Sequence, residues 1–171
     1  MQIRLKIEIH TAEREAYDTP QNILLQVENP WFSGKADIAT FSREEMLATK
    51  LRALLQRDKG RDLFDLGHAL DVFYTLDTAR IAEYLRRYLE RSKAEISRAE
   101  AEERMLAKLI NPGFLADIRP LLAAEEAKRL TDDMIHKSFV KVFSLYIAMI
   151  AGEPWARSEE MKEHFGIANL F

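Results

Sequence analysis

The hydrophobic period of this chain changes once, at Ser42, and that change fixes its class of fold. Before it, Ile3, Leu5, Ile7 and Ile9 alternate with Arg4, Lys6, Glu8 and His10. A period of two marks a strand with one buried face. Ile23 to Val27 and Ala36 to Phe41 read as two further strands, with Asn29-Pro30 and Ser33-Gly34 as turns between them. A sheet of three short strands needs helical cover to be stable.

Beyond Ser42 the apolar residues recur at helical spacing. Ser42 and Glu45 form a capping box, each satisfying an unpaired N–H at a helix start. The helix then carries Met46, Leu47, Leu51, Leu54 and Leu55 up to Gly60. A second helix runs from Arg61 to about Tyr74, with Leu63, Phe64, Leu66, Leu70 and Phe73 inward. Asp77 or Thr78 caps a third, bearing Ile81, Leu85, Tyr88 and Leu89. The charged run 91–103 reads as a solvated helix or a bend. Helical pattern returns at Met105 and stops at Asn111-Pro112-Gly113, and Pro120 interrupts the next segment. Thr131 caps a last long helix over 132–151, apolar nearly all round and therefore central to the core. A short helix near Ser158 to Phe165 follows. The expected fold is α+β and mainly helical: a small N-terminal sheet, residues 1–41, packed on a C-terminal helical bundle, residues 42–171.

Several function classes drop out. Without cysteine there is no disulfide framework, thiolate metal site or cysteine nucleophile, and the reading is a cytoplasmic protein. The apolar window 139–151 contains Lys141 and is too short to span a bilayer, so no membrane role is expected. A net charge of −3 provides no global attraction to nucleic acid, so any polyanion must meet a local patch.

The best candidate for such a patch is the segment from Lys50 to Leu66. With Lys50 as origin and about 100° per residue, Arg57 falls within roughly 20° of it, as does Arg61 if the helix continues through Gly60. Lys50 and Arg57 therefore border the apolar stripe. A lysine held beside apolar surface favours a carboxylate or phosphate partner. Asp62 and Asp65 lie one turn apart, and Arg61 and Asp65 form an i,i+4 pair. Two such carboxylates could share a divalent cation with substrate phosphates. The same spacing also suits an ion-pair network pinning one helix to the next. Glu8, beside Lys6 and His10 on the first strand, completes an acidic–basic site if that face meets the Lys50 helix. The four histidines show no metal-like clustering.

The segments Leu5-Lys6-Ile7-Glu8-Ile9, Asn29-Pro30-Trp31-Phe32-Ser33-Gly34, Phe41 to Lys50, and Lys50 to Leu66 resemble the AbiEii/AbiGii toxin family of nucleotidyltransferase-like proteins. The last of these follows the family pattern Lys-x-x-Ala-x-x-x-Arg-x-x-x-Arg-Asp-x-x-Asp-Leu at every fixed position. The resemblance covers residues 3 to 70, and the remainder agrees in helical character. It implies a polymerase-β-like nucleotidyltransferase core followed by a helical domain, an NTP bound with Mg²⁺, and transfer of a nucleotide, in some members to tRNA. By the same resemblance Glu8, Lys50, Asp62 and Asp65 are the catalytic positions. Lys50, Arg57 and Arg61 are the phosphate contacts, and Glu8 and Asp65 the metal ligands.

The family's upstream Gly-Ser turn and Asp-x-Asp pair are absent from this chain. Two-metal phosphoryl transfer depends on those carboxylates. The expectation is therefore a truncated nucleotidyltransferase-like toxin of a toxin–antitoxin or abortive-infection system, matching the family's C-terminal part and inactive alone. The alternative is a non-catalytic interaction module that binds an antitoxin or pairs with a second copy of itself as a homodimer. The sequence leaves open which nucleotide or acceptor is used.

Overall fold

The computed structural model describes residues 16–170. The expected strand Ile3 to Ile9, and Glu8 with it, lies outside the described residues. The chain divides into two compact units, Met1–Ser42 and Arg43–Phe171.

In the first unit, strands β1 (Gln21–Asn29) and β2 (Phe32–Thr40) form an antiparallel hairpin. The register runs without a bulge from Gln21 opposite Thr40 to Asn29 opposite Phe32. Pro30 and Trp31 make the turn. The Asn29 side-chain oxygen accepts from the backbone N–H of Trp31 at 3.0 Å and of Phe32 at 2.9 Å, which mimics a backbone turn. Alternation places Ile23, Leu25, Val27, Phe32, Ala36 and Ile38 on one face. Gly34 shares that face, and the Phe32 ring lies over it: a Cβ there would come within 2.7 Å of Phe32 Cζ. β1 extends past the expected Ile23 to Val27 at both ends, because pairing carries it through polar residues such as Gln21 and Asn22. β2 starts four residues before Ala36, taking the expected turn Ser33-Gly34 into the ladder, and ends at Thr40, short of Phe41.

The second unit is helical. Among the described residues it contains α1 (Arg43–Gln56), α2 (Gly60–Val72), α3 (Thr78–Arg91), α4 (Arg98–Ile110), α5 (Pro112–Ala116), α6 (Ala124–Arg129), α7 (Asp132–Val142) and α8 (Ser158–His164). The periodicity that specified α1 packs it against α3 and α2, and α2 packs in turn against α7. Leu47, Leu51, Leu54 and Leu55 are buried on α1, Leu63 and Leu66 on α2, and Ile81, Leu85, Tyr88 and Leu89 on α3. Each such side chain contributes about 1.5–3 kcal/mol.

Met46 departs from expectation and is exposed; Glu45 is fully buried beside it, accepting from the Tyr88 hydroxyl at 2.6 Å. Asp77 caps α3, accepting from the Arg80 N–H at 2.9 Å, and Thr131 caps α7 through the Met134 N–H at 3.2 Å.

The charged run 91–103 resolves into both suggested forms. α3 ends at Arg91, Lys93 adopts φ 55°, and α4 begins after its cap, Ser97. Glu102 within the run is buried, because it accepts from Arg98 Nε at 2.9 Å and from the Trp155 N–H at 3.0 Å. The expected long helix over 132–151 is α-helical to Val142 and then a π-helical segment, Phe143–Ile147. Phe143, Tyr146 and Ile147 are buried there, and the Tyr146 hydroxyl finds no hydrogen-bond partner among the described residues. No helix among these residues is long and apolar enough to cross a membrane.

Candidate functional site

The α1–α2 pair gathers five of the six candidate side chains. Gly60 opens α2, and its position decides how the two helices meet. A Cβ on Gly60 would lie 2.1 Å from the Phe114 carbonyl oxygen and 2.9 Å from Ile118 Cγ1. Only glycine allows the α5 backbone to approach this closely. The helix is interrupted over Arg57 to Lys59, so α2 folds back and presents Asp62 and Asp65, one turn apart, towards α1.

Each carboxylate meets one cation. The Arg57 guanidinium grips Asp62 with two parallel bonds, Nε to Oδ2 at 2.7 Å and Nη2 to Oδ1 at 2.8 Å. Asp62 is fully buried, whereas the Arg57 side chain is 47% exposed. The bond to Asp62 raises the Arg57 pKa above its ordinary value, and the carboxylate charges of Asp62 and Asp117 act in the same direction against burial. The site of Asp62 in the first turn of α2 also suits a negative charge. One turn further on, Lys50 Nζ donates to Asp65 Oδ2 at 2.6 Å, both side chains about 40% exposed. The expected Arg61–Asp65 pair does not form, because Asp65 faces α1 and takes its lysine. Arg61 is exposed and makes no ion pair or side-chain hydrogen bond among the described residues.

A clasp from α4 fixes the turn between the helices. Lys108 is buried to 4% exposure and donates to Asp58 Oδ1 at 2.6 Å and to the Arg57 carbonyl at 3.1 Å, its amine lying 5.5 Å from the Phe114 ring centre. Arg104 donates to the Leu55 carbonyl at 3.1 Å. These residues escaped the sequence reading. The available signal was a lysine at helical spacing among Met105, Leu106 and Leu109, where an unpaired amine would be costly.

The chemistry open to this arrangement follows from which atoms are taken. Both Asp62 oxygens are occupied, and Asp65 offers one uncommitted oxygen. Among the described residues no group of three or more acidic, histidine or cysteine side chains could hold a metal ion. These carboxylates therefore do not by themselves fit Mg²⁺. The cations differ: Arg57 and Lys50 keep N–H groups outside their salt bridges, and Arg61 keeps all of its own. A cleft of about 330 Å³ between α2 and α7 is lined by Phe64, His68, Asp71 and Lys141, and by none of the candidates.

The family model for "Nucleotidyl transferase AbiEii toxin, Type IV TA system" matches residues 1–143. That span takes in the hairpin, the α1–α2 pair and the Lys108 clasp, well beyond the motif at Lys50 to Leu66. No curated protein matches the chain significantly, and no solved structure does.

Proposed function

From the premise that the chain belongs to the AbiEii nucleotidyl transferase toxin family of type IV toxin–antitoxin systems, we propose that it binds the phosphates of an NTP or of tRNA through Lys50, Arg57 and Arg61. The carrying observation is that Lys50 and Arg57 stay about 40–50% exposed while each is held by a carboxylate of α2, and that Arg61 is exposed with no ion pair among the described residues. Arg57 and Lys50 are held in place by Asp62 and Asp65, and a held cation loses less entropy on meeting a phosphate. In this reading Asp62 positions Arg57. Asp65 positions Lys50. The chain contains no Asp-x-Asp pair.

Isothermal calorimetry of the full chain with GTP, CTP, UTP, ATP and bulk tRNA, each with Mg²⁺, tests it. Binding of at least one ligand is expected. Lys50→Ala and Arg61→Ala should each weaken it about tenfold, the loss of one charge-assisted contact. Melting temperature should barely move, since exposed pairs contribute only about 0.2–1 kcal/mol. No heat from any ligand, or undiminished binding by both variants, overturns the reading.

A further inference from the structure

The β2 edge of the hairpin carries a complementarity that the phosphate reading does not use. Among the described residues the sheet has two strands, and none of those residues lies as a strand beside the outer edge of β2. Every β2 residue is exposed except Gly34 and Thr40, which are intermediate. Exposed edges are usually blunted by bulges, prolines or an isolated charge. β2 contains no proline, and its pairing with β1 has no bulge. It does carry Lys35 and Asp37, side by side on one face.

Antiparallel pairing of β2 with β2 of a second copy, centred on Ala36, sets Lys35 opposite Asp37 of the other chain, twice by symmetry. The same register sets Gly34 opposite Ile38, Ser33 opposite Ala39 and Phe32 opposite Thr40. No like charges meet, and the blocking charge of each chain becomes the counter-charge of the other. The apolar faces, carrying Ile23, Leu25, Val27, Phe32 and Ile38, then join into one four-stranded surface. Ile23, Leu25 and Ile38 are 54%, 53% and 45% exposed in the single chain. The β1 edge paired about Leu25 brings no opposite charges together, so β2 is the favoured edge. We propose that two copies of this chain associate through β2 edges in the Ala36-centred antiparallel register, independently of what the α1–α2 cations bind.

Nine paired residues span about 30 Å, a small interface. Association is therefore expected from about 10 µM to about 500 µM. Sedimentation of the full chain over that range should reveal a species of twice the 19.8 kDa chain mass. Asp37→Lys and Lys35→Asp each replace two attractions by two repulsions and should weaken association tenfold or more. The double exchange Lys35→Asp with Asp37→Lys restores opposite charges and should restore the dimer. Circular dichroism of each variant should keep the helical signal. A monomer at every concentration overturns the proposal. So does a dimer indifferent to the single reversals, which would place association elsewhere, and so does a double exchange that fails to recover it.

Discussion

Replacing Arg57 by alanine isolates what the buried Asp62 carboxylate requires. In the structure that carboxylate is fully buried and both oxygens are held by one guanidinium, at 2.7 and 2.8 Å. A hydrogen bond to a charged group contributes about 1.5–3 kcal/mol, and stripping the partner from a fully buried pair costs about 3–5 kcal/mol. The Arg57 side chain is itself 47% exposed, so water can follow it out and solvate one side of Asp62. We expect a loss of about 2–3 kcal/mol, or roughly 5–10 °C in melting temperature for a chain of this size. Urea unfolding followed at the helical circular dichroism band measures it. Adding Asp62→Asn to the Arg57→Ala chain replaces a buried charge with a neutral amide and should recover at least about 1 kcal/mol, the signature of coupled residues. A loss below about 0.5 kcal/mol for Arg57→Ala, typical of an exposed ion pair, would refute the view that Asp62 depends on its arginine. It would leave Arg57 free to serve a ligand outright.

Gly60→Ala should destabilise by about 2 kcal/mol in the same assay. The gain of up to about 1 kcal/mol from helix propensity is outweighed by overpacking against the Phe114 carbonyl oxygen, 2.1 Å from the new Cβ; a stabilised variant would show that α5 yields easily. Tyr146→Phe should leave stability unchanged or raise it slightly at neutral pH, since the hydroxyl it removes is buried without a partner. Burial, with the nearby charge of Glu44, pushes that hydroxyl up to about 12. Below the unfolded value near pH 10 the tyrosine is neutral in both states. From there to about 12 only the unfolded chain ionises, so stability falls by up to about 2–3 kcal/mol. The phenylalanine variant should show a correspondingly shallower alkaline decline in urea titrations between pH 9 and 12, and identical curves would refute the assignment.

Local signals carried the fold well and the site less well. Ser42, Asp77 and Thr131 mark helix starts because capping is decided within four residues, and the structure puts helices immediately after each. The inward leucines of α1 and α2 follow from period alone. The partner of Asp65 does not. Spacing favoured Arg61, four residues away, whereas the structure chose Lys50, fifteen residues away across two helices. Which cation wins depends on the angle at which α2 returns, and that is set by Gly60 against α5, beyond any local window. The π-helical turn at Phe143–Ile147 was equally hidden, since a shift of one residue in hydrogen-bond register leaves the apolar pattern intact. Lys108 looked like an ordinary helix lysine until Asp58 and the Arg57 carbonyl were brought to it.

That lysine bears on how portable the motif is. The charged segment reads in sequence as a self-contained cassette, yet the elbow joining its two halves is fastened by side chains arriving from half a hundred positions downstream. A peptide or graft spanning only 43–72 would carry the right letters with a loose hinge. Swaps between relatives should therefore exchange α4 together with the cassette, or the spacing of its cations will not travel.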